Sequence, residues 1–166
     1  VRPPGAAVGT TRDAGRFGLS GGIPVFIAGH DHAVGAWAAG VRADGQVADS
    51  LGTAEALVRV QAASPDRRVA TAAGLSVSRT VDGSHHTLIA GLAGAGGLLA
   101  PGAAERAMAA VRSAGPAATD LLVLPYPVGR QTPEPDPLAQ LVVIGRPSSP
   151  DALARALREG LALHAR

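Results

Sequence analysis

The apolar residues of this chain come in short runs, and glycine, proline or aspartate interrupts each of them. Residues 23–28, 120–124 and 141–144 are runs of strand length, and the first two have the composition of buried strands. Asp82 and Gly83 follow the strand-like residues 69–81 and predict a hairpin turn. These frequent interruptions favour a fold of short strands joined by tight turns.

Three other segments predict helices. Residues 33–41 are small and apolar, and residues 101–113 begin at a proline. Ser149, Pro150 and Asp151 supply a side-chain cap, a proline at the first helical position and an early acid. They predict a helix that runs from there to the last residues of the chain. Short strands with helices between them indicate the α/β class.

The composition limits both the core and the chemistry. Aromatic residues make up only 2% of the chain and hydrophobic residues 46%, so the core has to be built from small aliphatic side chains. There is no cysteine, which excludes disulfides and thiol catalysis. The formal net charge is +2, and the arginines are interleaved with acids, so we expect no nucleic-acid partner.

The chain also carries weak signals about its location and extent. Its longest weakly polar run, residues 87–100, contains four glycines and is too short to cross a bilayer. We expect a cytoplasmic protein with no membrane partner. Because the chain begins at Val1 rather than methionine and stops inside a predicted helix, we also expect it to be a segment of a longer protein.

His30, Asp31 and His32 follow the first predicted strand, where open α/β sheets often carry functional groups. The residue types leave three interpretations open. Asp31 could be a general base, the two histidines could ligate a metal ion in a hydrolase, or Asp31 could cap a helix that begins at Ala33. Two imidazoles do not complete a metal shell, and nothing in the sequence places a third ligand beside them.

Gly52 and Thr53 form a tight corner between two segments, of which residues 54–61 predict either a strand or a short helix. Such a corner exposes backbone N–H groups and a hydroxyl, which suit a phosphate, although an ordinary turn has the same sequence. Glu55 follows at once and is expected to pair with an arginine or to face solvent. Arg130 lies on a proline-rich loop, where a structural role is expected.

The order of the segments resembles the central part of the FGGY carbohydrate kinases. The resemblance rests on AGHDHAVGA at 28–36, DSLGTAEA at 49–56 and LPYPVGRQTP at 124–133, with supporting stretches at 4–9, 18–25 and 155–162. It implies a two-domain actin-like ATPase (ribonuclease H-like) fold that is incomplete in this chain. Residues 1–39 would be the end of the sugar-binding N-terminal domain, and residues 40–166 the first part of the ATP-binding C-terminal domain.

The resemblance also implies roles for individual residues. Asp31 matches the family's catalytic base, which takes the proton from a sugar hydroxyl as it attacks the γ-phosphate of ATP. Gly52 and Thr53 match a loop that binds the phosphates. His30 and His32 flank the base and, with Asp31, are expected to contact the sugar. The family's magnesium-side aspartate has no counterpart here, so ATP and Mg²⁺ are implied without a metal ligand in this chain.

The implied activity is ATP-dependent phosphorylation of a sugar or polyol hydroxyl by the complete protein, with the isolated chain inactive. A non-catalytic fragment or pseudo-kinase is the alternative, and the metal hydrolase is a more distant one. The sequence does not select among ketopentose, ketohexose, polyol and aldonate. Because residues 25–27 and 120–124 would lose sheet neighbours or packing partners, we expect the isolated chain to be marginally stable or to form homo-oligomers.

Overall fold

The structure is a computed structural model that describes residues 2–12, 14–52, 54–94, 98, 103–113 and 118–166. Its strands are β1 (Ala7–Thr10), β2 (Pro24–Phe26), β3 (Val47–Leu51), β4 (Ala54–Gln61), β5 (Leu75–Arg79), β6 (His86–Ala93), β7 (Leu122–Pro125) and β8 (Leu141–Ile144). Its helices are α1 (Asp31–Ala38), α2 (Arg67–Ala72), α3 (Ala103–Ser113) and α4 (Pro150–His164), with a 3-10 turn at Ala14–Phe17. The predicted α/β class is confirmed.

Across the part of the chain that the structure describes, the strands form three separate antiparallel sheets. The largest has four strands in the order β3-β4-β6-β5, and the other two are the ribbons β1-β2 and β7-β8. Strands β4 and β6 pair along their whole length, from Ala54 opposite Ala93 to Gln61 opposite His86. The hairpin predicted at Asp82 and Gly83 is confirmed, since it joins β5 to β6.

The main core lies between the four-stranded sheet and α1. Ala36 of the helix packs with Ala56, Val58 and Ile89 of the sheet, and all four are buried. Alternate residues of β4 point into this core because successive side chains of a strand face opposite sides. As expected from the composition, small aliphatic side chains form it.

A second packed unit places α4 against β7. A Cβ built on Gly160 would lie 2.7 Å from the carbonyl oxygen of Val123, so only glycine allows this approach of helix and strand. The hydroxyl of Ser149 accepts a hydrogen bond from Ala152 N at 3.1 Å, which confirms the predicted helix start. At the middle of the helix, Glu159 accepts a 2.6 Å hydrogen bond from the Thr119 hydroxyl.

Two predictions of local structure are wrong. Within residues 69–81, the first part is helical, because the Asp66 carboxylate accepts hydrogen bonds from Arg68 N and Val69 N and so caps α2. Gly74 ends this turn with a φ of +75° before β5 begins. The first predicted strand exists as β2, but it is exposed rather than buried, with 58% of Phe26 accessible to solvent.

The β7 strand is buried on one face only, since Val123 is enclosed while Leu122 is exposed. Residues 54–61, which the sequence left open between strand and helix, form a strand. Among the helices of the described residues, none combines the length and the apolar character that crossing a membrane requires.

Candidate active site

The His30-Asp31-His32 segment joins the β1-β2 ribbon to helix α1. Gly29 has a φ of +111°, a conformation that favours glycine, and it turns the chain between the strand and the helix. Helix α1 begins at Asp31 and its cap is His30, whose Nδ1 accepts a hydrogen bond from His32 N at 3.3 Å. The interpretation of Asp31 as the cap of a helix starting at Ala33 is therefore wrong.

Asp31 is placed as an exposed anion. Its Oδ1 accepts a 2.9 Å hydrogen bond from the backbone N–H of His32 and lies 2.9 Å from Nδ1 of His30. The bond from His32 N–H holds the pKa of Asp31 below its usual range, outweighing slight desolvation, and the imidazoles of His30 and His32 act in the same direction as that bond. Since 85% of the side chain is accessible, a substrate can reach this carboxylate.

The two histidines lie against each other beside Asp31. Their rings stack with centroids 5.3 Å apart and an angle of 23° between the planes. Among the described residues, no group of three or more histidines and carboxylates is placed to hold a metal ion. The metal-hydrolase interpretation therefore gains no ligand set from this part of the chain.

The predicted phosphate corner is the turn of the β3-β4 hairpin. Leu51 pairs with Glu55, so Gly52 lies in the turn, whereas Thr53 lies outside the described residues. A Cβ on Gly52 would lie 3.3 Å from the carbonyl oxygen of Ala54, which makes any side chain there crowded. Packing of α1 on β3 and β4 links this hairpin to the helix that carries Asp31.

Glu55 is the residue whose environment the sequence missed. It neither faces solvent nor pairs with an arginine: only 3% of it is exposed, and none of the hydrogen bonds or ion pairs of the described residues involves its carboxyl. Burial raises the pKa of Glu55 above its usual value, and the nearby charge of Asp49 adds to that shift. A carboxyl directly after a hairpin turn carries no local signal of burial, because the layer that covers it comes from elsewhere in the chain.

A cavity of about 590 Å³ opens beside the hairpin, beginning at Ala54. The Tyr126 ring lines it, with the His164 ring edge-on at 5.1 Å and the Arg130 guanidinium over its face at 5.6 Å. His164 Nε2 lies 2.8 Å from the carbonyl oxygen of Thr132. Arg130 also donates to the carbonyl oxygen of Glu134 at 3.1 Å, in keeping with its expected structural role.

No family model matches the sequence, and neither does any curated protein. Solved structures do match. The xylulose kinase from Rhodospirillum rubrum is 27% identical with a TM-score of 0.73, over 98% of this chain and 35% of that one. A xyloylose kinase from Brucella ovis is 20% identical with a TM-score of 0.75, over 99% of this chain and 36% of that one. Plasmodium falciparum glycerol kinase with ADP is 17% identical with a TM-score of 0.63, over 87% and 30%.

The fold is that of the FGGY carbohydrate kinases. The resemblance inferred from the order of the motifs is confirmed, and with it the actin-like ATPase fold. The chain spans about 35% of the length of the xylulose kinase structure. The division of the FGGY domains at residue 39 stays a prediction.

Within this FGGY fold, sequence reasoning did not single out Tyr126 and His164 as lining a cavity. The signals were present but weak: Tyr126 lies within a matching motif, and His164 lies near the end of the last predicted helix. The two residues are 38 positions apart in the sequence, and only the packing of α4 on β7 brings them together.

Proposed function

We propose that this chain is part of an ATP-dependent kinase that phosphorylates a hydroxyl group of a sugar or polyol. The observation that carries the proposal is Asp31: an exposed carboxylate, whose pKa a backbone N–H lowers, at the start of a helix in a fold shared with carbohydrate kinases. The neighbouring structures include xylulose, gluconate and glycerol kinases, all of which are named for polyhydroxylated substrates.

In the proposed reaction, Asp31 accepts the proton of the substrate hydroxyl while the hydroxyl oxygen attacks the γ-phosphorus of ATP. The bond from that phosphorus to the bridging oxygen breaks, and ADP leaves. A carboxylate suits this task because a low pKa keeps it unprotonated at neutral pH. His30 and His32 lie on either side of Asp31 in the sequence and offer ring nitrogens to neighbouring hydroxyls of the substrate.

The nucleotide is proposed to bind at the β3-β4 hairpin and the adjoining cavity. The backbone at Gly52 is free of any side chain that would keep phosphates away, and Thr53 would supply a hydroxyl. The cavity is of the size that holds small ligands, and Tyr126 is an aromatic residue of its lining. Mg²⁺, bound mainly through the phosphates and water, would neutralise charge on the transferred group.

The test is Asp31→Asn in the protein purified from its own source, assayed with MgATP and a panel of ketoses, polyols and aldonates. Loss of the base is expected to lower kcat by about 10²–10⁴-fold while ATP binding is retained. Asp151→Asn is the matched control, since Asp151 is also an exposed acid in the first turn of a helix. Unchanged turnover in Asp31→Asn would refute the proposed role.

We propose further that the 166-residue chain alone does not turn over substrate. The intact mass of the native gene product is the first measurement, because a mass well above 16.4 kDa would show that further parts exist to complete a cleft. Sugar-dependent ADP formation by the isolated chain would contradict this second proposal and leave the first one standing.

A further inference from the structure

One wall of the cavity that begins at Ala54 carries an arginine, Arg130. It lies on the loop that follows β7, and hydrogen bonds fix this loop in place. Arg130 N–H donates to the carbonyl oxygen of Asp136 at 2.9 Å, and Asp136 N–H donates to the carbonyl oxygen of Arg130 at 2.8 Å. The Thr132 hydroxyl donates to the carbonyl oxygen of Gly91 in β6 at 2.8 Å. The loop therefore holds Arg130 beside the four-stranded sheet.

The side chain of Arg130 is held at two points. Its Nε donates to the carbonyl oxygen of Glu134 at 3.1 Å, and its guanidinium lies over the Tyr126 ring, 5.6 Å from the ring centroid. The face of an aromatic ring attracts a cation at this distance. The Tyr126 ring is in turn contacted edge-on by His164, whose Nε2 lies 2.8 Å from the carbonyl oxygen of Thr132. None of these contacts uses the two terminal nitrogens of the guanidinium.

The terminal nitrogens of Arg130, Nη1 and Nη2, carry most of its N–H donors. In the part of the chain that the structure describes, neither nitrogen donates to another residue, and Arg130 takes part in no ion pair. The residue is nevertheless half-buried. A guanidinium in this situation suits an anion with two oxygens, because its planar fork binds such a group through two parallel hydrogen bonds.

The rest of the lining indicates which kind of anion fits. Most of the lining residues are apolar or glycine, and among those that the structure describes none is acidic. Arg130 is the only side chain of this described lining that is always charged. A sugar has hydroxyls on all sides and needs many polar partners, whereas a nucleotide combines a largely apolar base with charged phosphates. An apolar lining with a single cation therefore favours the nucleotide.

We propose that Arg130 binds a phosphate group of the nucleotide through Nη1–H and Nη2–H, an inference that rests on the proposed kinase function. The cavity begins at Ala54, close in the sequence to Gly52, where the phosphates are proposed to lie. The Nε of Arg130 stays on the carbonyl oxygen of Glu134. Because the guanidinium is already held in place, little side-chain freedom is lost when the phosphate binds.

Three substitutions separate anion binding from support of the loop. Arg130→Gln removes the charge and the fork, while Arg130→Lys keeps a positive charge without the fork. Arg42→Gln is the matched control, because Arg42 makes the same two kinds of contact elsewhere. Its Nε donates to the carbonyl oxygen of Trp37 at 3.4 Å, and its guanidinium lies over the Trp37 ring, 4.7 Å from the ring centroid. The described lining of the cavity does not include Arg42.

The first experiment measures the binding of ADP and of adenosine by calorimetry, with the protein purified from its own source and its three variants. Arg130→Gln is expected to lower the affinity for ADP about 10–100-fold, because a charge-assisted pair with a phosphate is lost, and to leave adenosine binding unchanged. Arg130→Lys should lose less, and Arg42→Gln should match the wild type. Unchanged ADP affinity in Arg130→Gln would overturn the proposal. Equal losses for ADP and adenosine would also overturn it, since Arg130 would then only shape the cavity.

The second experiment separates this inference from the proposed function, because it uses pyrophosphate alone. If the wild type binds neither ADP nor adenosine, the proposed nucleotide site has failed. Pyrophosphate binding that Arg130→Gln abolishes and Arg42→Gln retains would then still support Arg130 as a phosphate-binding residue. Pyrophosphate binding that both variants retain, or none in the wild type, would overturn that role.

Urea unfolding of each variant shows whether it is folded. If Arg130→Gln is not, Arg130→Lys decides the question. A loss of ADP affinity without a loss of adenosine affinity is then expected, and unchanged ADP affinity would contradict the need for the guanidinium fork.

Discussion

The β1-β2 ribbon precedes Asp31 in the sequence and the four-stranded sheet follows it, and the two differ in what covers them. The sheet is covered on one face by α1, so Val58 of β4 is only 1% exposed. The ribbon has no such layer among the described residues, and 42% of Val25 is accessible. Asp31, the proposed base, therefore lies on a helix of the packed part of the chain, and the segment before it is supported mainly by its own backbone pairing.

The largest effect is expected where the sheet meets the loop at Gln131. Gly74 has a φ of +75°, and a Cβ there would run into the carbonyl group of Gln131. Gly74→Ala is expected to lower the free energy of unfolding by about 3–5 kcal/mol, because strain and a clash add. Gly40→Ala has the same strain at φ +92° in open space and should cost about 1–2 kcal/mol. Urea unfolding measures both, and equal losses would mean that the sheet and the loop are not in contact.

A pair of identical substitutions tests the difference between sheet and ribbon directly. Val58→Ala removes buried methyl groups and is expected to lower the free energy of unfolding by about 2–3 kcal/mol. Val25→Ala removes the same atoms from an exposed strand, and a loss below about 0.5 kcal/mol is expected. The shift of the urea midpoint checks both. A large loss at Val25 would show that the ribbon is covered in solution, for instance by a second copy of the chain.

The smallest effect is expected at Glu55, the buried carboxyl of the sheet. It is a change in how steeply the free energy of unfolding depends on pH. Burial, assisted by Asp49, raises the pKa of Glu55 above its ordinary 4.5 in the folded state. The folded chain thus holds this proton more tightly than the unfolded chain. The stabilising contribution is complete below pH 4.5 and is lost as the pH rises through the folded-state pKa.

Glu55→Gln is therefore expected to flatten this part of the dependence of unfolding free energy on pH. Urea midpoints measured at a series of pH values from about 4 to 7 provide the check. Glu134→Gln, at an exposed position, serves as the control and should keep the slope of the wild type. Parallel profiles for the wild type and Glu55→Gln would show that the carboxyl is hydrated in solution.

The correct sequence predictions concern local structure that is determined by residues close together in the chain. The start of α4 at Ser149 and the β5-β6 turn at Asp82 follow from caps and turn residues within a few positions. The error at residues 69–72 is of the same local kind, since the capping carboxylate of Asp66 outweighed an apolar pattern that suited a strand.

What the sequence could not predict depends on distant partners. Glu55 is buried by parts of the chain that are distant in sequence. Tyr126 contacts His164 only because α4 packs on β7. The exposure of β2 has the same origin, because an apolar run indicates that burial is favourable and not which layer provides it. The order of motifs predicts Asp31 as a site residue, while its contact with His30 Nδ1 required coordinates.

The hydrogen bond from His32 N–H to Asp31 has a consequence for how the proposed base would be controlled. The same N–H is one of the first that helix α1 leaves without a partner inside the helix, so a single contact both completes the helix start and stabilises the negative charge. If the first turn of α1 frays, the carboxylate loses that donor and its pKa climbs toward the ordinary value. The helical order of residues 31–34 and the pKa of Asp31 would then change together. A ligand that stabilises this turn would keep the pKa of Asp31 low.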